Sequence, residues 1–395
     1  MKYSLAFVGL LTLAFLGDVV CADDALVLPK GRFRVRLVTS FSSIENNFGN
    51  NGEILGLGSS FTKRLDSKLL SALNPGTADT IKKLNSVSPG LGDEIAVDLS
   101  TKVDTQILSN ILALEYGLTD RVSIGFILPV VHAEVNVDAN ASPDEALNSK
   151  INAMSDADPR KAILKQVQGG LNVQTFDSML RDQYNYRNGL QSWSGAGLGD
   201  LELGGKYNYY KSPQLLSTLK AGVRLPTGRV DDPNILFDLG FGDGQVDLGL
   251  FNMVDYKFTR DFGATLEVGY TFQLPDTSDV RVPLSDEIPI NSLSQKISRK
   301  LGDLVNAELE ANYQFFKRLT VSARYRYFYK MQDSFSGTSE EVHAGAFNVE
   351  FTNLTDVRAG RSKFPYSVAG FFRMPFAGKN VADSRTTGVA LKTYF

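Results

Sequence analysis

The chain has 395 residues, of which 22% are charged, with a formal net charge of −3 at pH 7 and a single cysteine. This near-neutral composition provides no basic field for nucleic acid, so we expect no nucleic-acid partner. Beyond residue 22 the sequence has no apolar run of about 18 or more residues, which excludes a membrane-spanning helix from that part.

The N-terminus has the three parts of a secretory signal peptide. Lys2 provides a short basic region, residues 5–16 an apolar core, and the small residues ending at Ala22 a cleavage site. The sequence therefore predicts a signal peptide at residues 1–22 and one mature domain at residues 23–395.

Cys21 allows one alternative, a lipoprotein anchored through its thiol, but the residues around it fit a lipoprotein signal poorly. If cleavage follows Ala22, the only cysteine leaves with the signal peptide. No disulfide, cysteine-bound metal or thiol chemistry is then expected. We also expect no metal site and no cofactor elsewhere in the chain.

The rest of the chain alternates apolar and polar residues in stretches of about ten, which is the pattern of a transmembrane β-barrel. In lipid every backbone polar group must be paired within the protein, so only helices and closed barrels can span a membrane. We therefore expect an all-β fold, an antiparallel transmembrane barrel of about 12 strands in the outer membrane. The predicted strands lie at residues 32–42, 94–116, 122–130, 200–210, 219–225, 246–258, 264–272, 305–315, 319–329, 344–352, 364–373 and 385–395.

One face of each strand is expected to contact lipid and the other to line the lumen. The charged residues of the inner faces could line a solute path, and the three arginines of the first strand could give it a preference for anions. They could equally fill the interior of a narrow barrel. The predicted lumen-lining residues are Arg32, Arg34, Arg36, Asp104, Glu202, Lys206, Glu267, Glu308, Glu310, Arg324 and Arg326.

The second strand is the longest and the least regular. Its alternation predicts that Ile107 and Ile111 face lipid and that Asp104 faces inward. The alternation stops at residues 112–116.

The turn between the eighth and ninth strands decides which charges face each other. If it closes with three residues, Glu310 lies opposite Arg324 and Glu308 opposite Arg326. We therefore expect two cross-strand ion pairs on the inner wall.

Short connections alternate with long ones along the chain. Barrels of this type keep short turns in the periplasm and long loops outside, and an even number of strands returns both chain ends to the periplasm. The predicted short turns lie at residues 118–121, 211–214, 259–262, 317–318 and 353–363.

Two of the outer connections, residues 58–93 and 136–198, are long enough to hold helices. Loops of this length in a compact fold are usually functional, and a surface cap without a further role is the alternative. The predicted helices lie at residues 61–73, 78–85, 143–154 and 158–168, the first with a stripe of Leu65, Leu69, Leu70 and Leu73.

Four short segments resemble an outer-membrane family named for the meta-pathway of phenol degradation. They are residues 116–121, the strand end at Pro129, the Gly-Leu-Gly-Asp motif at 197–200 and the Leu-Pro-Thr-Gly motif at 225–228. The resemblance implies a porin-like channel or transporter for small solutes, aromatic or apolar ones among them.

Two other functions stay open at this point. In an oligomeric structural or lipid-organising protein, the leucine stripe would pack against another subunit or lipid, since an amphipathic helix needs an apolar partner. In a barrel phospholipase or surface protease, His132 or His343 would act near the outer rim, oriented by Asp138 or Glu341. No nucleophile motif accompanies either histidine, so we expect no enzyme and no catalytic residue. The expected partners are outer-membrane lipids and small solutes, with a homo-oligomer as an open alternative.

Overall fold

Residues 24–283, 290, 292–334 and 337–395 are described in a computed structural model. The predicted signal peptide at residues 1–22 lies outside the described residues. None of the helices in these ranges is long and apolar enough to cross a membrane.

The described chain is mostly strand. In chain order the strands are β1 (Phe33–Phe48), β2 (Ile54–Gly56), β3 (Lys63–Asp66), β4 (Ala96–Thr119), β5 (Val122–Pro143), β6 (Trp193–Leu198), β7 (Leu201–Lys211), β8 (Leu215–Leu225), β9 (Asp247–Lys257), β10 (Phe262–Gln273), β11 (Asp276–Pro283), β12 (Ser292–Arg299), β13 (Leu304–Phe316), β14 (Leu319–Lys330), β15 (Glu340–Thr352), β16 (Tyr366–Lys379) and β17 (Val381–Tyr394). The helices are α1 (Ser67–Leu73), α2 (Pro75–Val87), α3 (Glu145–Ala153), α4 (Pro159–Gly170), α5 (Val173–Asp182) and α6 (Leu354–Arg358).

Twelve of the strands form a closed antiparallel barrel. Its order follows the chain through β1, β4, β5, β7 to β10 and β13 to β17. β1 closes it by pairing with β4 on one side, where Arg34 lies opposite Glu115, and with β17 on the other, where Arg34 lies opposite Tyr394. Each predicted strand coincides with one strand of this barrel, so the predicted fold is confirmed.

A belt of apolar side chains surrounds the barrel. Every strand of the barrel presents at least one large apolar residue whose side chain is exposed on the outer face. A continuous belt of this kind is the surface that a barrel presents to lipid. One example from each strand, in chain order, is Leu37, Leu112, Ile124, Leu203, Leu219, Leu250, Leu266, Leu309, Tyr325, Phe347, Phe372 and Leu391.

The connections alternate as predicted. At one end, the hairpins β4–β5, β7–β8, β9–β10 and β13–β14 close with two to four residues, and α6 lies between β15 and β16. The other end carries the long connections, except that β16 and β17 are joined by Asn380 alone. Asn380 has a positive φ of 52°, a conformation that asparagine adopts more readily than most residues, and it allows this hairpin to stay paired to its tip.

Four long connections pack together into a cap over the long-loop end of the barrel. A single apolar core joins Leu70, Leu164 and Phe237, which come from three of these connections and are at most 2% exposed, to the inward-facing Val131 of β5. The leucine stripe of α1 therefore has its apolar partner within this chain. The cap consists of residues 49–95, 144–192 and 226–246 and of the described residues of 274–303, which are 274–283, 290 and 292–303.

Arg281 of β11 ties three of these connections together. Its guanidinium donates to the carbonyl oxygens of Tyr184 and Asn185, both at 2.8 Å, and to Oδ1 of Asn234 at 2.9 Å. It also lies 4.0 Å from the ring centroid of Tyr186. The β11–β12 hairpin is thereby fixed to the segment that follows α5.

The cap helices begin at polar side chains. α1 to α5 each follow an aspartate or asparagine that accepts a backbone N–H from the first turn, as Asp144 does from Leu147 at 3.0 Å. The four predicted helices correspond to α1 to α4, although residues 61–66 form a 3₁₀ turn and β3 instead of the first turns of α1. α5, with its cap at Asn172, was not predicted.

The outer halves of β4 and β5 extend beyond the membrane. They have 24 and 22 residues, about twice the 9–11 that a tilted strand needs to cross the hydrocarbon. In this region water lies outside and the cap core inside, so the polarity of the two faces is reversed. The prediction for β4 is therefore wrong: Ile107 is 3% exposed and faces inward in the cap core, while Asp104 faces outward and accepts a hydrogen bond from Asn136 at 3.1 Å. Ile111 is also 3% exposed and faces inward, where it packs in a separate cluster with Val38 and Phe371 inside the barrel.

This reversal also explains why the alternation in β4 stops at residues 112–116. Leu112 is 36% exposed and belongs to the apolar belt, whereas the neighbouring Ala113 lies on the inner wall. Near this point the medium in contact with the outer face of the strand changes from water to lipid. Both faces of the strand are therefore apolar over a few residues.

Candidate functional site

The lumen contains a cavity of about 220 Å³, located in the middle of the barrel. Charged side chains from several strands share its wall with glycines and aromatic residues. Nine of the eleven predicted lumen-lining residues lie on this wall: Arg34, Arg36, Glu202, Lys206, Glu267, Glu308, Glu310, Arg324 and Arg326.

Two cross-strand ion pairs lie on the wall between β13 and β14. Glu308 is opposite Arg326 and Glu310 opposite Arg324, the register that the sequence predicted. Arg324 bridges both carboxylates, at 2.8 Å to Glu310 and 3.1 Å to Glu308, and Arg326 lies 3.2 Å from Glu308. The turn itself has two residues, and a bulge at Phe315 restores the predicted register.

A second charged group lies next to the first along the wall, on β7 to β10, where Glu267 of β10 is opposite Glu308 of β13. Arg224 lies 3.1 Å from Glu202 and 3.2 Å from Asp247, and Lys220 lies 3.3 Å from Glu267 of β10. Arg224, Asp247 and Lys220 were not predicted. The alternation Lys220, Gly222, Arg224 along β8 is the signal that could have placed them on the inner wall.

A row of glycines crosses the wall within the second charged group, where Gly222 lies between Lys220 and Arg224 on β8. Gly125, Gly204, Gly222 and Gly249 are mutually paired on β5, β7, β8 and β9, and all four line the cavity. A Cβ atom on Gly204 would lie 2.9 Å from the carbonyl oxygen of Ala221, so this part of the wall admits no larger residue without backbone movement. The row gives the cavity part of its width.

The chain before β1 folds into the lumen at the short-turn end. Ala25 is fully buried and donates its N–H to Asp255 at 3.1 Å, while Thr218 donates to its carbonyl oxygen. Leu28 donates its N–H to Ser123 at 3.2 Å, and Lys206 donates to the carbonyl oxygen of Asp24 at 3.1 Å. These partners lie on four strands of the barrel. Residues 24–28 therefore narrow the lumen between the cavity and the short-turn end. The strand pattern did not predict this feature.

Two predicted lumen-lining residues lie elsewhere. Asp104 faces outward on the part of β4 that extends beyond the membrane, for the reason given above. Arg32 precedes β1 and is exposed at the short-turn rim, where its backbone carbonyl accepts the N–H of Gly117 at 2.9 Å. The arginine ladder on the cavity wall thus begins at Arg34, whose partners are Glu115 and, at 3.8 Å, Asp24.

Both histidines lie on the outer surface. His132 lies 3.2 Å from Glu134, and the two side chains are about half exposed. Nδ1 of His343 lies 2.7 Å from the hydroxyl of Tyr325, and Nε2 lies 3.3 Å from Glu341. Among the described residues, no group of three or more His, Cys, Asp or Glu side chains has the arrangement of a metal site.

Three of the four segments that suggested a family meet at one point of the wall, while residues 116–121 lie at the short-turn end, in the β4–β5 hairpin. The N–H of Gly199 donates to the carbonyl oxygen of Pro129 at 3.0 Å, and the hydroxyl of Thr227 accepts the N–H of Leu201 at 2.8 Å. Asp200 accepts the N–H of Gly228, also at 2.8 Å. Here β5 changes its partner from β7 to β6, so the motifs build a junction between the barrel and the cap.

Residues 85–362 match the sequence family named for the MetA-pathway of phenol degradation. The chain belongs to this family. The match spans most of the barrel and most of the cap, and it contains all of the motifs that meet at the junction. No curated protein sequence matches this chain.

One solved structure shares the fold at low sequence identity. An outer membrane channel from Pseudomonas putida F1 superposes with a TM-score of 0.54 at 12% identity, covering 95% of this chain and 100% of that one. The monoaromatic hydrocarbon channel CymD and the Pseudomonas putida toluene transporter TodX are more distant, with TM-scores of 0.38 and 0.34 at 11% and 10% identity. Each of these two matches covers 93% of this chain and 89% of the other.

Proposed function

We propose that this protein is a porin-like outer-membrane channel for the passage of small solutes. One observation supports the proposal above the others: a closed barrel with a lipid-facing apolar belt encloses a cavity of about 220 Å³ whose wall carries charged ladders. A barrel that served only as a membrane anchor would need no cavity in its interior. The proposal gives the protein no catalytic step.

The widths of the two ends of the barrel limit the size of the solute that can pass. Residues 24–28 narrow the short-turn end, and the cap core covers part of the long-loop end. The path that we propose is therefore narrow, and it passes the charged ladders of β13–β14 and β7–β9. Such a path admits small molecules and hydrated ions more readily than larger solutes.

The test is single-channel recording of the mature protein in a planar lipid bilayer, with salts whose ions differ in size. We expect stepwise currents that fall as the ions become larger than the constriction. A barrel that is folded by its heat-modifiable migration in gel electrophoresis, but carries no current with any salt, would overturn the proposal.

A further inference from the structure

The short-turn end of the barrel carries a strong excess of positive charge. Its connecting segments contain eleven lysine and arginine side chains but only three aspartates, a net charge of +8, whereas the whole chain has a net charge of −3. We call these segments the basic rim. It consists of residues 29–32 before β1 and of the turns at residues 120–121, 211–214, 257–261, 317–318 and 353–365.

The positive charge of the basic rim is accessible and has few countercharges. All eleven basic side chains belong to exposed residues. Among the described residues, only Arg318 and Arg361 of these eleven form an ion pair, and both donate to Oδ1 of Asp356 at 2.8 Å. Even this group of three keeps a charge of +1. The rim therefore presents an attractive surface to anions.

The basic rim lies at the edge of the apolar belt. Exposed aromatic side chains mark the level at which the hydrocarbon of a membrane ends and the headgroups begin. A strand rises by about 3.3 Å per residue, so a basic residue next to such a ring lies at the level of the headgroups. In five of the six segments an exposed aromatic residue directly adjoins a basic one: Phe33, Tyr210, Phe258, Phe316 and Phe364.

The distribution of the charge favours a lipid surface over a soluble partner. Each of the six segments carries at least one basic side chain, and the segments follow one another around the whole barrel. Lipids contact a barrel around its whole circumference. Four of the turns close hairpins with only two to four residues, so they project little and form no groove for another chain.

We propose that the basic rim binds the phosphate groups of anionic phospholipids in the leaflet at the short-turn end. In barrels of this type that leaflet is the periplasmic one. Clusters of lysine and arginine beside a membrane attract anionic headgroups, and guanidinium groups match the geometry of phosphate. The inference goes beyond the proposed function, because it concerns the outside of the barrel and does not require that the lumen conducts.

The first test measures lipid selectivity of the wild type by electron spin resonance, which separates lipids held at the protein from lipids in the bulk. The protein is reconstituted in phosphatidylcholine membranes with a trace of spin-labelled phosphatidylglycerol or spin-labelled phosphatidylcholine. At low salt we expect phosphatidylglycerol to associate about fivefold more strongly, equivalent to about 1 kcal/mol. In about 1 M salt, which screens charges beyond about 3 Å, the ratio should fall towards one.

A variant of the rim tests which charges carry the preference. Lys211→Glu, Lys317→Glu and Lys363→Glu together lower the net charge of the rim from +8 to +2 and replace only exposed side chains. We expect this triple variant to lose most of its preference for phosphatidylglycerol. Heat-modifiable migration in gel electrophoresis shows whether the variant is folded, and the salt dependence of the wild type tests the inference if it is not.

The matched control makes the same change of charge on the cap. Lys68→Glu, Lys82→Glu and Lys165→Glu replace exposed side chains on α1, α2 and α4, away from the short-turn end. This variant should keep the preference of the wild type. If the cap variant lost as much preference as the rim variant, the lipid would bind elsewhere and the inference would fail.

Two further results would overturn the inference. Equal association of the two lipids with the wild type is expected if the rim serves a soluble partner or only contacts water. A preference that stays the same in about 1 M salt would exclude charge as its cause. Either result would leave the channel untouched, whereas a salt-sensitive preference in a barrel that carries no current would keep the lipid site and reject the channel.

Discussion

Ala25 donates its backbone N–H to Asp255 Oδ2 at 3.1 Å, although 230 residues separate the two in sequence. Asp255 lies near the short-turn end of β9 and faces the lumen. The contact therefore holds the start of the described chain across the inside of the barrel. Because residues 24–28 lie between the cavity and the short-turn opening, they set the width of the path at that end.

Deletion of residues 24–28 should increase single-channel conductance, by about twofold or more if this segment forms the constriction. Thr218→Val is the milder variant, because it removes only the hydroxyl that donates to the carbonyl oxygen of Ala25. This variant should give a conductance between those of the wild type and the deletion, or more frequent fluctuations of the single-channel current. Deletion and wild-type proteins with the same conductance would show that the constriction lies elsewhere.

Arg324→Ala should destabilise the barrel by about 3 kcal/mol, because it leaves Glu310 and part of the charge of Glu308 buried without their main partner. The side chains of these three residues are only 10–16% exposed. The measurement is the free energy of unfolding from denaturant titration in detergent micelles.

Arg187→Ala is the control for this effect. Arg187 lies 2.9 Å from Asp232 on the cap, but its side chain is 64% exposed, so its removal should cost less than about 1 kcal/mol. If the two variants lost the same free energy of unfolding, the charged ladder on β13 and β14 would contribute no more to stability than a surface ion pair.

The strand positions were predictable because every strand in lipid must alternate and must pair. Glu310 and Arg324 follow this rule, and their register was predicted from the sequence alone and is confirmed. Leu70 and its stripe were predicted for the same kind of reason, since a period of 3.6 residues indicates a helix with one buried face.

Asp104 and residues 24–28 show where this reasoning stops. Alternation indicates that one face of a strand is apolar and the other polar. Whether the apolar face points inward depends on whether lipid or water surrounds the barrel at that height, and the surrounding medium changes along β4. Residues 24–28 form no strand and bind through backbone groups, which leave no pattern in the sequence.

Leu70→Ala should loosen the cap and leave the barrel intact. Leu70 is 2% exposed in the cap core, and loss of a buried leucine side chain costs about 2–5 kcal/mol. Limited proteolysis should therefore cut residues 57–95 faster than in the wild type, while heat-modifiable migration of the barrel stays unchanged. If the variant instead changed only the oligomeric state, with cap cleavage unaltered, the stripe would have a role between subunits.

Asp104→Lys should leave the ion selectivity of the channel unchanged, because Asp104 faces water outside the wall and its charge is screened over about 8–10 Å at physiological salt. Lys220→Gln removes a positive charge from the cavity wall and should shift the permeability ratio of potassium to chloride towards potassium, by about twofold. Reversal potentials in a tenfold salt gradient measure both. A shift for Asp104→Lys as large as that for Lys220→Gln would contradict the inward and outward assignment of β4.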